Sequence, residues 1–132
     1  MSGTQQLPMD VLLQQGIQLD QAGKHDAAAS VYRRILQQQP DHAYALHLLG
    51  ANALRHGDLD TAVELIDMAI QGNSKEPTFH LFLGQALQKK GDLNDALKAY
   101  DHALSMAPQS SPAMFRRATV LMAMQRLPEA LA

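Results

Sequence analysis

One interval, 34 residues, organises almost the whole of this chain. Gly16, Gly50 and Gly84 are separated by it, and so are Gly23, Gly57 and Gly91. Ala28, Ala62, Ala96 and Ala130 carry the interval into a fourth copy, and Tyr32, Ile66 and Tyr100 keep it as well. Six of the eight glycines therefore occupy two positions of one repeating unit, a pattern that confines the chain to an array of identical small motifs. The copies run 9–42, 43–76, 77–110 and a partial 111–132, behind a lead-in of residues 1–8.

Each copy reads as two helices. In the second, Leu46, Leu49, Gly50, Ala53 and Leu54 recur at helical spacing, and Leu59, Ala62, Val63, Ile66, Ala69 and Ile70 form a second apolar stripe. Gly57 between them supplies a left-handed stop, and Asp58 is placed to cap the next helix. Gly91-Asp92 repeats the device, while Pro77 and Pro112 suit a first helical turn, where no donor is lost. Close packing of two short helices needs small residues at their crossing, so Gly50 with Ala62, Gly84 with Ala96 and Ala118 with Ala130 are the expected crossing pairs. Tyr32, Ile66 and Tyr100 are expected to reach the following hairpin. The sum is seven full helices, a short eighth and no strand.

The Gly50/Ala62 positions, the turn at Gly57, Ile66 and the 34-residue period resemble the tetratricopeptide repeat across residues 9–132. The resemblance implies an all-α, right-handed superhelix of antiparallel helix hairpins. The chain departs from the repeat at Leu46, His80 and Met114, where an aromatic is usual, at Gln15 and at Ala118. The stretch from Tyr32 to Gly50 also resembles the repeat region ahead of bacterial O-linked N-acetylglucosamine transferase-like enzymes. Nothing in the chain resembles their catalytic domain.

Composition narrows the function. Lys and Arg number 11 against 13 acidic residues, which gives no global footprint for nucleic acid or an anionic membrane. With no cysteine there is no disulfide or zinc–thiolate site, and no apolar run approaches the ~20 residues of a membrane helix. A cytoplasmic setting is expected. The six histidines include no i, i+4 pair, so they are expected at the surface or hydrogen-bonded, not as metal ligands. No serine sits in a nucleophile elbow, and no glycine pattern forms a phosphate cradle. Asp58, Asp60 and Asp92 read as caps and first-turn charges. Neither catalysis nor a cofactor is expected.

A groove remains. The resemblance implies that the first helix of each hairpin lines the concave face through positions 2, 5, 6, 9, 12 and 13 of a copy. In copy two these include Tyr44, His47, Leu48 and Arg55, beside Ala51 and Leu54. In copy three they include Thr78, Phe82, Gln85 and Lys89, beside Leu81 and Gln88. Copy four offers Phe115, Arg116 and Thr119, then Met122. Apolar residues with a few cations suit an extended or helical peptide with apolar anchors and some acidic character. The Lys and Asn of the chaperone-tail clamp are missing from positions 5 and 9, as is the transferase family's asparagine ladder from position 6. The expected function is a non-catalytic scaffold for protein–protein interaction; the alternative is the partner- or substrate-recruiting arm of a larger bacterial transferase. The fourth copy stops inside its second helix, so the chain reads as the amino-terminal part of something longer. Leu121, Met124, Leu127 and Leu131 are then expected to leave an apolar surface open to self-association.

Overall fold

The computed structural model describes residues 7–131, with side chains through Gln125. Most of the lead-in over 1–8 thus lies outside the described residues. Seven helices follow one another: α1 (Met9–Gln21), α2 (His25–Gln38), α3 (Ala43–Arg55), α4 (Leu59–Gly72), α5 (Pro77–Lys90), α6 (Leu93–Met106) and α7 (Ser111–Leu131). No strand occurs among the described residues. Helices α1/α2, α3/α4 and α5/α6 pack as antiparallel hairpins, and α2/α3, α4/α5 and α6/α7 join them into one superhelix.

The turn inside each hairpin is a Schellman closure. Gly57 N–H donates to Leu54 O at 3.1 Å and Asp58 N–H to Ala53 O at 2.9 Å, which satisfies two carbonyls at the end of α3. The same pair of bonds closes α1 and α5. It requires a left-handed residue, and Gly23, Gly57 and Gly91 have φ of 79°, 79° and 88°. Asp58 and Asp92 do occupy N-cap positions, but neither makes a side-chain cap bond. The side-chain caps come instead from His42, which accepts from Ala45 N–H at 3.1 Å, from Glu76 and from Ser110.

The small-residue positions work differently from the expected Gly/Ala pairing. A Cβ on Gly50 would meet Ile66 Cγ1 at 2.7 Å, while the nearest atom of Ala62 is its carbonyl oxygen at 3.4 Å. At Gly16 and Gly84 the added Cβ would collide with the rings of Tyr32 and Tyr100. The glycine therefore makes room for the large residue of its own hairpin. Tyr32 and Tyr100 are fully buried, and their hydroxyls also stay within the hairpin. Tyr32 donates to Asp20 at 2.6 Å and Tyr100 to Gln88 at 2.7 Å. Other contacts extend onward, since Tyr32 clusters with Ala45, and Tyr100 clusters with Val120 and lies near Arg116 of α7.

The fourth copy departs further. Helix α7 runs without a break to Leu131, so the expected short eighth helix is not formed among the described residues. The position that corresponds to Gly57 and Gly91 is Gln125, a residue that does not take the left-handed conformation cheaply. With no helix folded back, Ala118 is exposed, and the Ala118/Ala130 crossing does not form on its side. Ala113 and Val120 are buried on one face of α7, and Met124 packs beside them. The opposite face carries Phe115 and Met122, which are 74% and 51% exposed. Leu121 is half-buried, and the side chains of Leu127 and Leu131 lie outside those described.

Candidate functional site

The residues expected to line a groove divide into three groups. The first is an aromatic cluster where α3 meets α5. The His47 ring sits 4.9 Å from Phe79 and 4.8 Å, edge-on, from Phe82, and Tyr44 meets Phe79 edge-on at 5.4 Å. Edge-to-face arrangements of this kind favour the positive rim of one ring on the negative face of the next. Tyr44 OH donates to Glu76 at 2.9 Å, a bond that raises the phenol pKa because the carboxylate resists a phenolate beside it. Glu76 also accepts from Thr78 N–H and so caps α5. Phe79 is fully buried, Phe82 half-buried and Tyr44 45% exposed, so the cluster grades from core to surface.

His47 departs from expectation. It is only 5% exposed, and neither ring nitrogen has a hydrogen-bond partner. Burial lowers its pKa from 6.5 to about 4, against a small opposing pull from Glu76, so the ring is neutral at physiological pH. Its aromatic neighbours displace the water that an exposed histidine would use. His25, His42, His56 and His80 do find hydrogen bonds.

The second group is basic. Arg55 and Lys89 are exposed near the ends of α3 and α5. Arg116 is half-buried, near enough to Tyr100 to pull its pKa down, although burial dominates and pushes the phenol up to about 12. Gln85 is half-buried, and Leu48 packs against the first hydrophobic cluster as a core residue. The third group lies on the open face of α7, where Phe115 is exposed and Thr119 OH donates to Phe115 O inside the helix. The structure thus brings Tyr44, His47, Thr78 and Phe82 together and leaves Phe115 and Thr119 apart from them. Sequence reasoning missed Phe79 and Glu76. Phe79 sits one helical turn before Phe82, and that i, i+3 spacing was the available signal.

Two tetratricopeptide repeat models match the chain, over residues 13–77 and 87–132. With the hairpin geometry above, they show that the chain belongs to the tetratricopeptide repeat family. A TPR repeat-containing protein of Methanocaldococcus jannaschii, MJ0940, is 26% identical over 88 residues, 67% of this chain and 27% of that protein. An O-GlcNAc transferase of Thermobaculum terrenum superposes with a TM-score of 0.83 at 27% identity, over 86% of this chain and 22% of the transferase. The first TPR domain of Spaghetti (RPAP3), solved bound to an HSP90 peptide, superposes with a TM-score of 0.85 at 20% identity, over 89% of this chain and 93% of the other. The chain spans about a quarter of the length of the first two. Among the described residues, no helix is long and apolar enough to cross a membrane, and no group of three or more His, Cys, Asp or Glu is placed to hold a metal ion.

Proposed function

We propose that this domain is a non-catalytic scaffold that takes a peptide segment of a partner protein along its first helices, over the cluster of Tyr44, Phe79, His47 and Phe82. The carrying observation is that cluster. Two hairpins together build a partly exposed aromatic surface, and Arg55 and Lys89 are exposed roughly 10–12 Å further along the same two helices. Arg116, Gln85, Thr78 and, further along, Phe115 and Thr119 extend the surface; Leu48 supports it from the core. The HSP90 peptide bound by the RPAP3 domain offers a model for the mode of binding, not for the ligand. Lys and Asn are absent from the clamp positions, where His47 and Ala51, or Leu81 and Gln85, stand instead. A cytoplasmic setting and no affinity for nucleic acid belong to the same reading, as does self-association through the open face of α7.

Aromatic anchors cost ~2 kcal/mol or more on truncation, whereas exposed cations cost ~1 kcal/mol or less and lose it in salt. For peptides selected from a random display library on the intact domain, Phe82→Ala is expected to weaken binding more than Lys89→Ala. Only the Lys89 effect fades as salt rises. Unchanged affinity in a folded Phe82→Ala protein would show that the peptides bind elsewhere. A second reading, that the domain recruits partners or substrates for a larger transferase, draws on the 27% identity to the Thermobaculum terrenum enzyme.

A further inference from the structure

Helices α4 and α6 both rest on α5 rather than on each other, and this leaves a cleft of about 490 Å³ between them. Val63 and Ile70 of α4 form one apolar wall, and Leu83 and Leu87 of α5 the floor. At ~100° per residue, Leu83 and Leu87 point roughly 100–160° away from Phe82 and Lys89, so the cleft opens on a different face of α5 from the aromatic cluster.

The rim carries two carboxylates against one ammonium. Asp67 and Asp95 flank the cleft, and neither forms an ion pair with a described residue, although Lys98 stands nearby. Elsewhere on the surface Asp60 is held by Lys90 at 2.8 Å and Asp101 by Arg117 at 2.6 Å. His80 adds a second, independent sign. It is only 5% exposed and lines the cleft with its neighbour His102, 5.3 Å away ring to ring. Nε2 donates to Ser74 O at 3.0 Å, so in the neutral ring Nδ1 is a bare acceptor, buried and without a partner.

One repeat earlier, the cleft between α2 and α4 is built in the same register with the opposite chemistry. Arg33 and Thr61 stand where Asp67 and Asp95 do, so a cation replaces one of the acids. Asn52 donates to His25 O at 2.9 Å, and His56 Nε2 lies 3.5 Å from Asp26. The repeat therefore makes one cleft with Arg33 on its rim and one with two carboxylates, a single lysine and a buried acceptor that has no partner.

We propose that the α4–α6 cleft is a second docking site, for a partner segment that presents an aliphatic side chain beside a lysine or arginine. The aliphatic group fills the floor between Val63 and Leu87, and the cation meets Asp67 and Asp95. A donor of the segment approaches the His80–His102 side, where Nδ1 of His80 has no partner. A partly desolvated carboxyl supports this placement, since burial raises the pKa of Asp67 with no cation to lower it.

The test uses the full chain and two fluorescein-labelled peptides of about 12 residues, one of Leu, Ala and Lys and its twin with Glu for Lys. The Lys peptide is expected to bind, to shift the amides of Val63, Leu87 and Ala99, and to be weakened at least about tenfold by Asp67→Lys with Asp95→Lys. Both positions are exposed, so the double variant keeps the fold, and it is expected to prefer the Glu peptide instead. Phe82→Ala leaves Lys-peptide binding unchanged, which keeps this test apart from that of the aromatic face. Absence of binding, equal binding of the two peptides, indifference to the double variant or shifts confined to Tyr44 and Phe82 would each overturn the proposal.

Discussion

At Gly84, in α5, the backbone lies sealed under the ring of Tyr100; at Ala118, one repeat later on α7, the same register position stands in solvent. The first helices of the three complete hairpins are covered by a partner from the same copy, whereas α7 rests on α6 and, more lightly, on α5 of the preceding copy. Gly23, Gly57 and Gly91 fold the second helix back, and Gln125 does not. A small crossing residue is thus sealed only where a second helix folds back over it.

That contrast can be broken most sharply by the same substitution on both sides of it. Gly84→Leu is expected to cost ~3 kcal/mol or more in urea denaturation, because the new side chain must displace a buried tyrosine ring. Ala118→Leu is expected to stay within ~0.5 kcal/mol. An equal cost at Ala118 would mean that α7 is covered after all.

Next in size is a pH effect set in the junction of α3 and α5. His47 titrates near 6.5 when unfolded and at about 4 when folded. Between those values the unfolded chain holds a proton that the folded chain does not. The stability due to the neutral ring is whole above 6.5 and is lost as pH falls towards 4. Urea melts at about pH 7.5 and pH 4.5 are expected to differ by ~2 kcal/mol more in the wild-type chain than in His47→Leu. No excess loss in the wild type would contradict the buried, partnerless ring.

Two smaller effects sharpen the comparison. Tyr100→Phe removes the hydroxyl bond to Gln88 inside a closed hairpin and is expected to cost ~1 kcal/mol by thermal melting. Arg117→Ala breaks the exposed pair that ties α7 to Asp101 and is expected to cost less than ~1 kcal/mol, a difference that disappears in high salt.

The repeat was legible because each hairpin restates it. Spacing alone located the glycine turns, the buried alanines and Pro77 at the start of α5. Contacts within a hairpin were harder to read. The partner of Gly84 is Tyr100, not Ala96, because a helix crossing depends on rotation as well as period. The site was half legible for the same reason. Tyr44, His47 and Phe82 could be assigned to one face by register, but Phe79 falls at a position that register assigns to the core. Only the packing of α5 on α3 brings it beneath them. The burial of His47 follows from Phe79 and Phe82, two rings that belong to the next copy.

The central claim is that the face built over Phe79 by α3 and α5 takes a peptide. Amide chemical-shift mapping of the full chain, titrated with a peptide selected from a display library, tests it most directly. The account predicts the largest shifts at Tyr44, His47, Phe79 and Phe82, falling away along α5 towards Lys89. Shifts confined to the outer face of α7, with Tyr44 and Phe82 unmoved at saturation, would contradict it.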